Sequence, residues 1–135
     1  MMRDWWPDDH GAGRHLLLVD DELSIRGLMK CLLETEGFDV TDAGSSTEAL
    51  RVLSGVDIDL LITDIQMPVM NGLELAQAVR ADRPEMSILL MSGPTPADCR
   101  DFMDAHCLFL EKPFSTAHLV TKVRQALAVE LPTIP

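Results

Sequence analysis

With 135 residues, 47% hydrophobic and 24% charged, the chain has the size and composition of one globular domain, able to bury roughly two-thirds of its unfolded surface. Its formal net charge of −11 argues against nucleic acid or an anionic membrane as a direct partner. No apolar run approaches the ~20 residues of a membrane span, and Cys31, Cys99 and Cys107 make no C-x-x-C pair, so they read as reduced thiols of a cytoplasmic protein.

Residues 1–14 are polar and Gly/Pro-bearing apart from Trp5 and Trp6, lack a signal-peptide core, and read as a flexible N-terminal tail. The first continuous apolar run, Leu16-Leu17-Leu18-Val19, ends in Asp20-Asp21. Helical spacing follows, with Ile25, Leu28, Met29, Leu32 and Leu33 on one face and Gly37 as the stop. Phe38-Asp39-Val40-Thr41 alternates like an outer strand, and Ser46-Thr47-Glu48 opens a short helix through Leu53. A second run, Leu60-Leu61-Ile62-Thr63, ends in Asp64; Gly72 then precedes a helix carrying Leu73, Leu75, Ala76 and Val79, closed near Pro84. The run Ile88-Leu89-Leu90-Met91 ends in Ser92. Thr95-Pro96-Ala97-Asp98 is a helix opening, with Thr95 as cap and Pro96 at the first position. Leu108-Phe109-Leu110-Glu111 leads into Lys112, and a last helix begins at Ser115-Thr116 with Leu119, Val120, Val123 and Leu127 inward. Residues 131–135 form a C-terminal tail.

Apolar runs of this length separated by helix-length segments predict parallel strands buried on both faces. The β-α order repeats five times, which predicts an α/β domain over 15–130 with an open, doubly wound, five-stranded parallel sheet. In such a sheet the carboxyl ends of all strands lie along one edge, where ligands bind. Asp20, Asp21, Asp64, Ser92 and Lys112 are therefore delivered to one place. An ionised Asp64 is an oxygen nucleophile toward phosphorus. Asp20 and Asp21 beside it would repel it unless a hard divalent cation intervened, and all-oxygen ligands suit Mg²⁺. Lys112 and Ser92 supply a positive charge and a hydroxyl for phosphoryl oxygens. Taken singly, the Asp-Asp pair reads as a helix cap, Lys112 as a solvated strand end, Ser92 as a strand terminus and Phe109 as core. Their joint placement at separate strand ends predicts a phosphoryl-accepting site. His10, His15, His106 and His118 show no ligand spacing.

The segments Leu18-Val19-Asp20-Asp21-Glu22, Asp64-Ile65-Gln66-Met67-Pro68-Val69-Met70-Asn71-Gly72, Met91-Ser92-Gly93 and Phe109-Leu110-Glu111-Lys112-Pro113-Phe114 resemble the receiver domains of two-component response regulators, and the likeness spans 15–130. The resemblance implies a flavodoxin-like (β/α)5 fold with strand order 2-1-3-4-5. It implies that Asp64 takes a phosphoryl group from the phosphohistidine of a sensor kinase or phosphotransfer protein. Asp20, Asp21, Asp64 and the backbone carbonyl of Gln66 would hold Mg²⁺, for which Mn²⁺ can substitute. Ser92 and Phe109 would be the switch residues, and a cis Lys112–Pro113 bond would aim the lysine inward. Gln66 and Pro94 would flank the water that removes the phosphoryl group. Such a protein is a signalling switch that catalyses only its own phosphorylation and dephosphorylation. Its downstream protein is unknown from sequence, and homodimerisation stays open. The expected location is cytoplasmic.

The chain departs from the family pattern in two places. Lys112 follows Ser92 by 20 positions, a shorter spacing than is usual, and Ser92 is followed by Gly93-Pro94-Thr95-Pro96, whose prolines stiffen what is ordinarily a flexible loop. Two rival readings are a pseudo-receiver acting only as a binding module and a small phosphatase working through an aspartyl phosphate. The first is expected to lack a site residue and none is missing; the second expects Asp-x-Asp after the first strand, where this chain has Asp20-Asp21-Glu22. No output domain follows residue 130, which fits either a stand-alone regulator or a receiver belonging to a larger protein.

Overall fold

A computed structural model describes residues 14–93, 100–103 and 106–130. Trp5, Trp6, Pro94 and the expected helix opening at Thr95 lie outside the described residues. In chain order the elements are β1 (His15–Val19), α1 (Leu23–Thr35), β2 (Asp39–Ala43), α2 (Ser46–Leu53), β3 (Leu60–Asp64), α3 (Gly72–Asp82), β4 (Ser87–Ser92), β5 (Cys107–Glu111) and α4 (Thr116–Glu130). All strand pairings are parallel and the sheet order is β2-β1-β3-β4-β5, a flavodoxin-like winding.

The apolar runs form strands because each has two covered faces. Leu17, Val19, Leu61, Ile88 and Leu90 point to one side, against Ala49 and Leu53 of α2 and Leu75, Ala76 and Val79 of α3. Leu16, Leu18, Leu60, Ile62, Leu89 and Met91 point to the other, against Met29 and Leu33 of α1 and Leu119, Val123, Ala126 and Leu127 of α4. Each fully buried Leu or Ile contributes about 1.5–3 kcal/mol of transfer free energy, and the alternation splits that gain between two cores.

The helices end where local chemistry stops them. Gly37, at φ 101°, closes α1 with its N–H on the Glu34 carbonyl, while the Phe38 N–H reaches the Leu33 carbonyl. This is a Schellman motif, and Phe38 packs with Leu33 in the same core. Phe38 therefore ends α1's closure and the edge strand starts one residue later, at Asp39. Asn71 caps α3 through a reciprocal capping box with Glu74, so Gly72 is the first residue of the helix rather than its predecessor.

Two apolar positions differ from expectation. Leu28 is 62% exposed, because α1 turns its buried stripe through Ile25, Met29 and Leu33, and Leu28 is rotated from Met29 by roughly 100°. Val120 is only half-buried at the margin of the α4 face.

Candidate functional site

Strand register brings the site together. Val19 pairs with Thr63, Asp64 with Met91 and Ser92 with Glu111, so each strand ends about level with its neighbour. The ladder runs on into the loops: Asp20 N–H donates to the Ala43 carbonyl at 3.2 Å, Ile65 N–H to Met91 at 2.9 Å and Lys112 N–H to Ser92 at 2.6 Å. Asp20, Asp64, Ser92 and Lys112 are thus fixed by backbone pairing before any side chain is placed.

Asp20 and Asp64 are buried and Asp21 is exposed. One carboxylate oxygen from each of the three lies within 4.8 Å of the others. Two buried carboxylates at that separation repel by roughly 3 kcal/mol at an effective dielectric of about 20. Lys112 Nζ lies 3.3 Å from Asp64 Oδ1 as an ion pair. Burial is the largest influence on Asp64 and pushes its carboxyl above the ordinary carboxylate range; Lys112 pulls it back, and Asp20 and Asp21 push it up again. Asp64 is not the carboxylate of ordinary acidity that the sequence suggests.

Asp20 and Asp21 do not act as the cap of α1. Glu22 occupies the N-cap position and makes no side-chain cap bond. Asp20 Oδ1 accepts the Glu22 N–H at 2.9 Å, an Asx turn. Asp20 Oδ2 is buried with no hydrogen-bond donor among the described residues, and buried Asp64 Oδ1 meets only the Lys112 ammonium of its ion pair. A buried carboxylate oxygen without a donor, clustered with oxygens of two further carboxylates, is a ligand set for a hard cation. The residues present fit Mg²⁺.

The remaining predicted residues sit around this cluster. Ser92 is fully buried at the end of β4. Phe109, on β5 opposite Leu90, is half-buried against the α2–α3 core. Gln66 is exposed on the β3–α3 loop, and the Lys112–Pro113 bond is cis. That loop is tied on two sides: Ser46 Oγ donates to the Met70 carbonyl at 2.8 Å, and Gly72 N–H to the Ile65 carbonyl at 2.9 Å. A Cβ on Gly72 would overlap the Asp64 carbonyl oxygen, so only glycine lets α3 start this close to the acid. Two polar residues near the site escaped the sequence reading, Arg26 and Asp42, joined at 2.8 Å. The available signal was an arginine set within the apolar spacing of α1.

Residues 16–124 match the family described as response regulator receiver domain. The chain is 35% identical over 117 residues to the C4-dicarboxylate transport transcriptional regulatory protein DctD of Rhizobium meliloti (strain 1021), a match covering 85% of this chain and 25% of DctD. It is 34% identical over 122 residues to the aerobic respiration control protein ArcA of Escherichia coli (strain K12), covering 84% of this chain and 48% of ArcA. The chain thus spans between a quarter and a half of these curated relatives. Among solved structures, response regulator protein TrrA of Thermotoga maritima, in complex with Mg²⁺ and BeF, matches with a TM-score of 0.73 and 32% identity over 84% of this chain and 99% of that one. By sequence and by fold alike, the chain belongs to the response regulator receiver domain family.

Proposed function

We propose that Asp64 is the phosphoacceptor of a signalling switch, charged in a Mg²⁺-dependent reaction by the phosphohistidine of a sensor kinase or phosphotransfer protein. The observation that carries this reading is the convergence of Asp20, Asp21 and Asp64 with Lys112 Nζ 3.3 Å from Asp64. An Asp64 carboxylate oxygen attacks phosphorus, the P–N bond breaks, and its electron pair leaves with the imidazole; the product is an acyl phosphate. Mg²⁺, held by Asp20, Asp21, Asp64 and the Gln66 carbonyl, would offset negative charge on the incoming phosphoryl group. Lys112 opposes the effect of burial on the Asp64 carboxyl and presents an ammonium to a phosphoryl oxygen. Ser92, buried beside it, supplies a hydroxyl for another, and its reorientation with Phe109 would pass the charged state to a downstream protein. That the similar response regulator TrrA was solved in complex with Mg²⁺ and BeF supports a Mg²⁺-binding reading of this chain. The chain acts on itself rather than on a released substrate, and the cytoplasm is where such a donor would meet it.

Incubation with acetyl phosphate and Mg²⁺, followed by intact mass under acidic quench, is expected to show one added phosphoryl group. Asp64→Asn should show none, and Asp21→Ala should label on the order of 10²-fold more slowly, the scale for losing one preorganised charge stabiliser. Undiminished labelling in excess chelator, or of Asp64→Asn, contradicts the assignment.

A further inference from the structure

Arg26 stands beside the face of α1 that packs on the sheet, next to Ile25 and among turns that bury Met29 and Leu33. Its side chain is 15% exposed. Nη1 donates to the backbone carbonyl of Asp20 at 2.7 Å, and Nε donates to Asp42 Oδ2 at 2.8 Å. Asp42, on the edge strand β2, also receives Lys30 Nζ on its other oxygen at 3.3 Å. Burial acts to raise the Asp42 carboxyl, but the bonds and charges of Arg26 and Lys30 outweigh it and hold the group below its ordinary value. The turn after β2 closes over the guanidinium so tightly that a Cβ on Gly44 would stand 2.8 Å from Nη1.

The consequence falls on Asp20. Its N–H is held by the Ala43 carbonyl, its own carbonyl by Arg26, and its Oδ1 by the Glu22 N–H. The remaining polar atom, Oδ2, is buried without a hydrogen-bond donor among the described residues and belongs to the acidic cluster. Arg26 thus locks the junction from which both Asp20 and Asp21 project, and Asp42 locks Arg26.

We propose that Arg26, anchored by Asp42, is a positioning residue for the divalent-cation site: it holds the β1–α1 junction so that the Asp20 and Asp21 carboxylates converge on Asp64. This rests on the Mg²⁺ reading of the site given above. Groups that orient metal ligands typically alter affinity by about 10–100-fold when removed. Charge alone gives the opposite sign. Deleting a cation beside three carboxylates should tighten a divalent ion, because the field it opposes is gone. Weaker binding is therefore the signature of positioning. Asp42 sharpens the point, since its carboxylate offsets the guanidinium charge and leaves Arg26 chiefly its geometry.

The test is calorimetric titration of Mg²⁺ into the full chain, alongside thermal unfolding without metal, for wild type, Arg26→Gln, Arg26→Lys, Asp42→Asn and the Arg26→Gln/Asp42→Asn pair. Arg26→Gln should bind Mg²⁺ roughly tenfold more weakly. Arg26→Lys keeps the charge but lacks the fork that reaches two acceptors at once, and should be weakened similarly. The double variant should be no weaker than Arg26→Gln, because both changes break one device. A folded Arg26→Gln that binds Mg²⁺ as tightly as wild type, or more tightly, overturns the proposal, as does an additive double variant. If Arg26→Gln does not fold, Arg26→Lys decides by the same criterion. Failure of the wild type to bind Mg²⁺ overturns the cation site itself, a distinct outcome from normal wild-type binding with unaltered variants.

Discussion

Val69 holds a backbone that valine disfavours. It lies five residues beyond Asp64 at φ 71° with its side chain fully exposed, so a β-branched residue occupies the left-handed region with no packing in return. That conformation costs about 1–2 kcal/mol relative to a residue at ease there. Val69→Asn should therefore stabilise the fold by roughly 1 kcal/mol, read as a higher urea midpoint at unchanged slope; no shift would mean the loop relaxes to spare the valine. Asp64 carries a different strain, electrostatic in origin. Because burial first, and Asp20 and Asp21 after it, raise its folded-state pKa above the unfolded value, the native state binds more protons than the unfolded chain in that window. Stability then falls as pH rises from the ordinary carboxylate range through the raised value. Asp64→Asn removes the charge, so without Mg²⁺ it should unfold at higher temperature than wild type at neutral pH, by about 5 °C per kcal/mol relieved. The gain should shrink as pH falls toward 4, the ordinary carboxyl value. A gain independent of pH would show that size, not charge, is responsible.

At the scale of elements, the junction of β3 with α3 does most to shape the site, and its capping box is the simplest part to break. Asn71→Ala leaves the Glu74 N–H without its Oδ1 acceptor while the backbone N–H at position 71 still reaches the Glu74 carboxylate, and should cost about 1 kcal/mol, with labelling of Asp64 slowed only if the loop depends on the cap. Equal stability would show that water replaces the lost side-chain bond. The sheet was legible in sequence because strands buried on both faces leave uninterrupted apolar runs such as Leu60-Leu61-Ile62 and Ile88-Leu89-Leu90. Their polar terminators, Asp64, Ser92 and Lys112, marked the edge. Leu28 was misassigned because helical spacing alone admits a wider stripe than the sheet covers. The Arg26–Asp42 pair was not legible, since it depends on β2 lying beside β1 with Leu18 opposite Asp42, a register that no local pattern encodes. Nor was the raised pKa of Asp64, which follows from how deeply three chain segments jointly bury one carboxyl.

For the whole molecule, the acidic site is a local excess within a chain of net charge −11. The unfolded chain spreads these carboxylates through water, whereas folding gathers Asp20, Asp21 and Asp64 within 4.8 Å. A divalent cation that binds the gathered cluster and not the dispersed chain must stabilise the fold by mass action, by about 2.7 kcal/mol at a concentration 100 times its dissociation constant. For a domain of this size that corresponds to a rise in unfolding temperature on the order of 10 °C. Ordinary salt also relieves a chain of high net charge, since the screening length is about 8 Å at physiological ionic strength. It cannot replace a ligated ion between oxygens closer than that length. Thermal unfolding in MgCl₂ should therefore exceed unfolding in NaCl at matched ionic strength. Asp21→Ala should lose the excess while keeping the response to NaCl, because one ligand is gone and the overall charge is almost the same. Equal responses of the wild type to the two salts would mean that the cluster feels only bulk screening, and the three carboxylates would then lose their standing as a cation site.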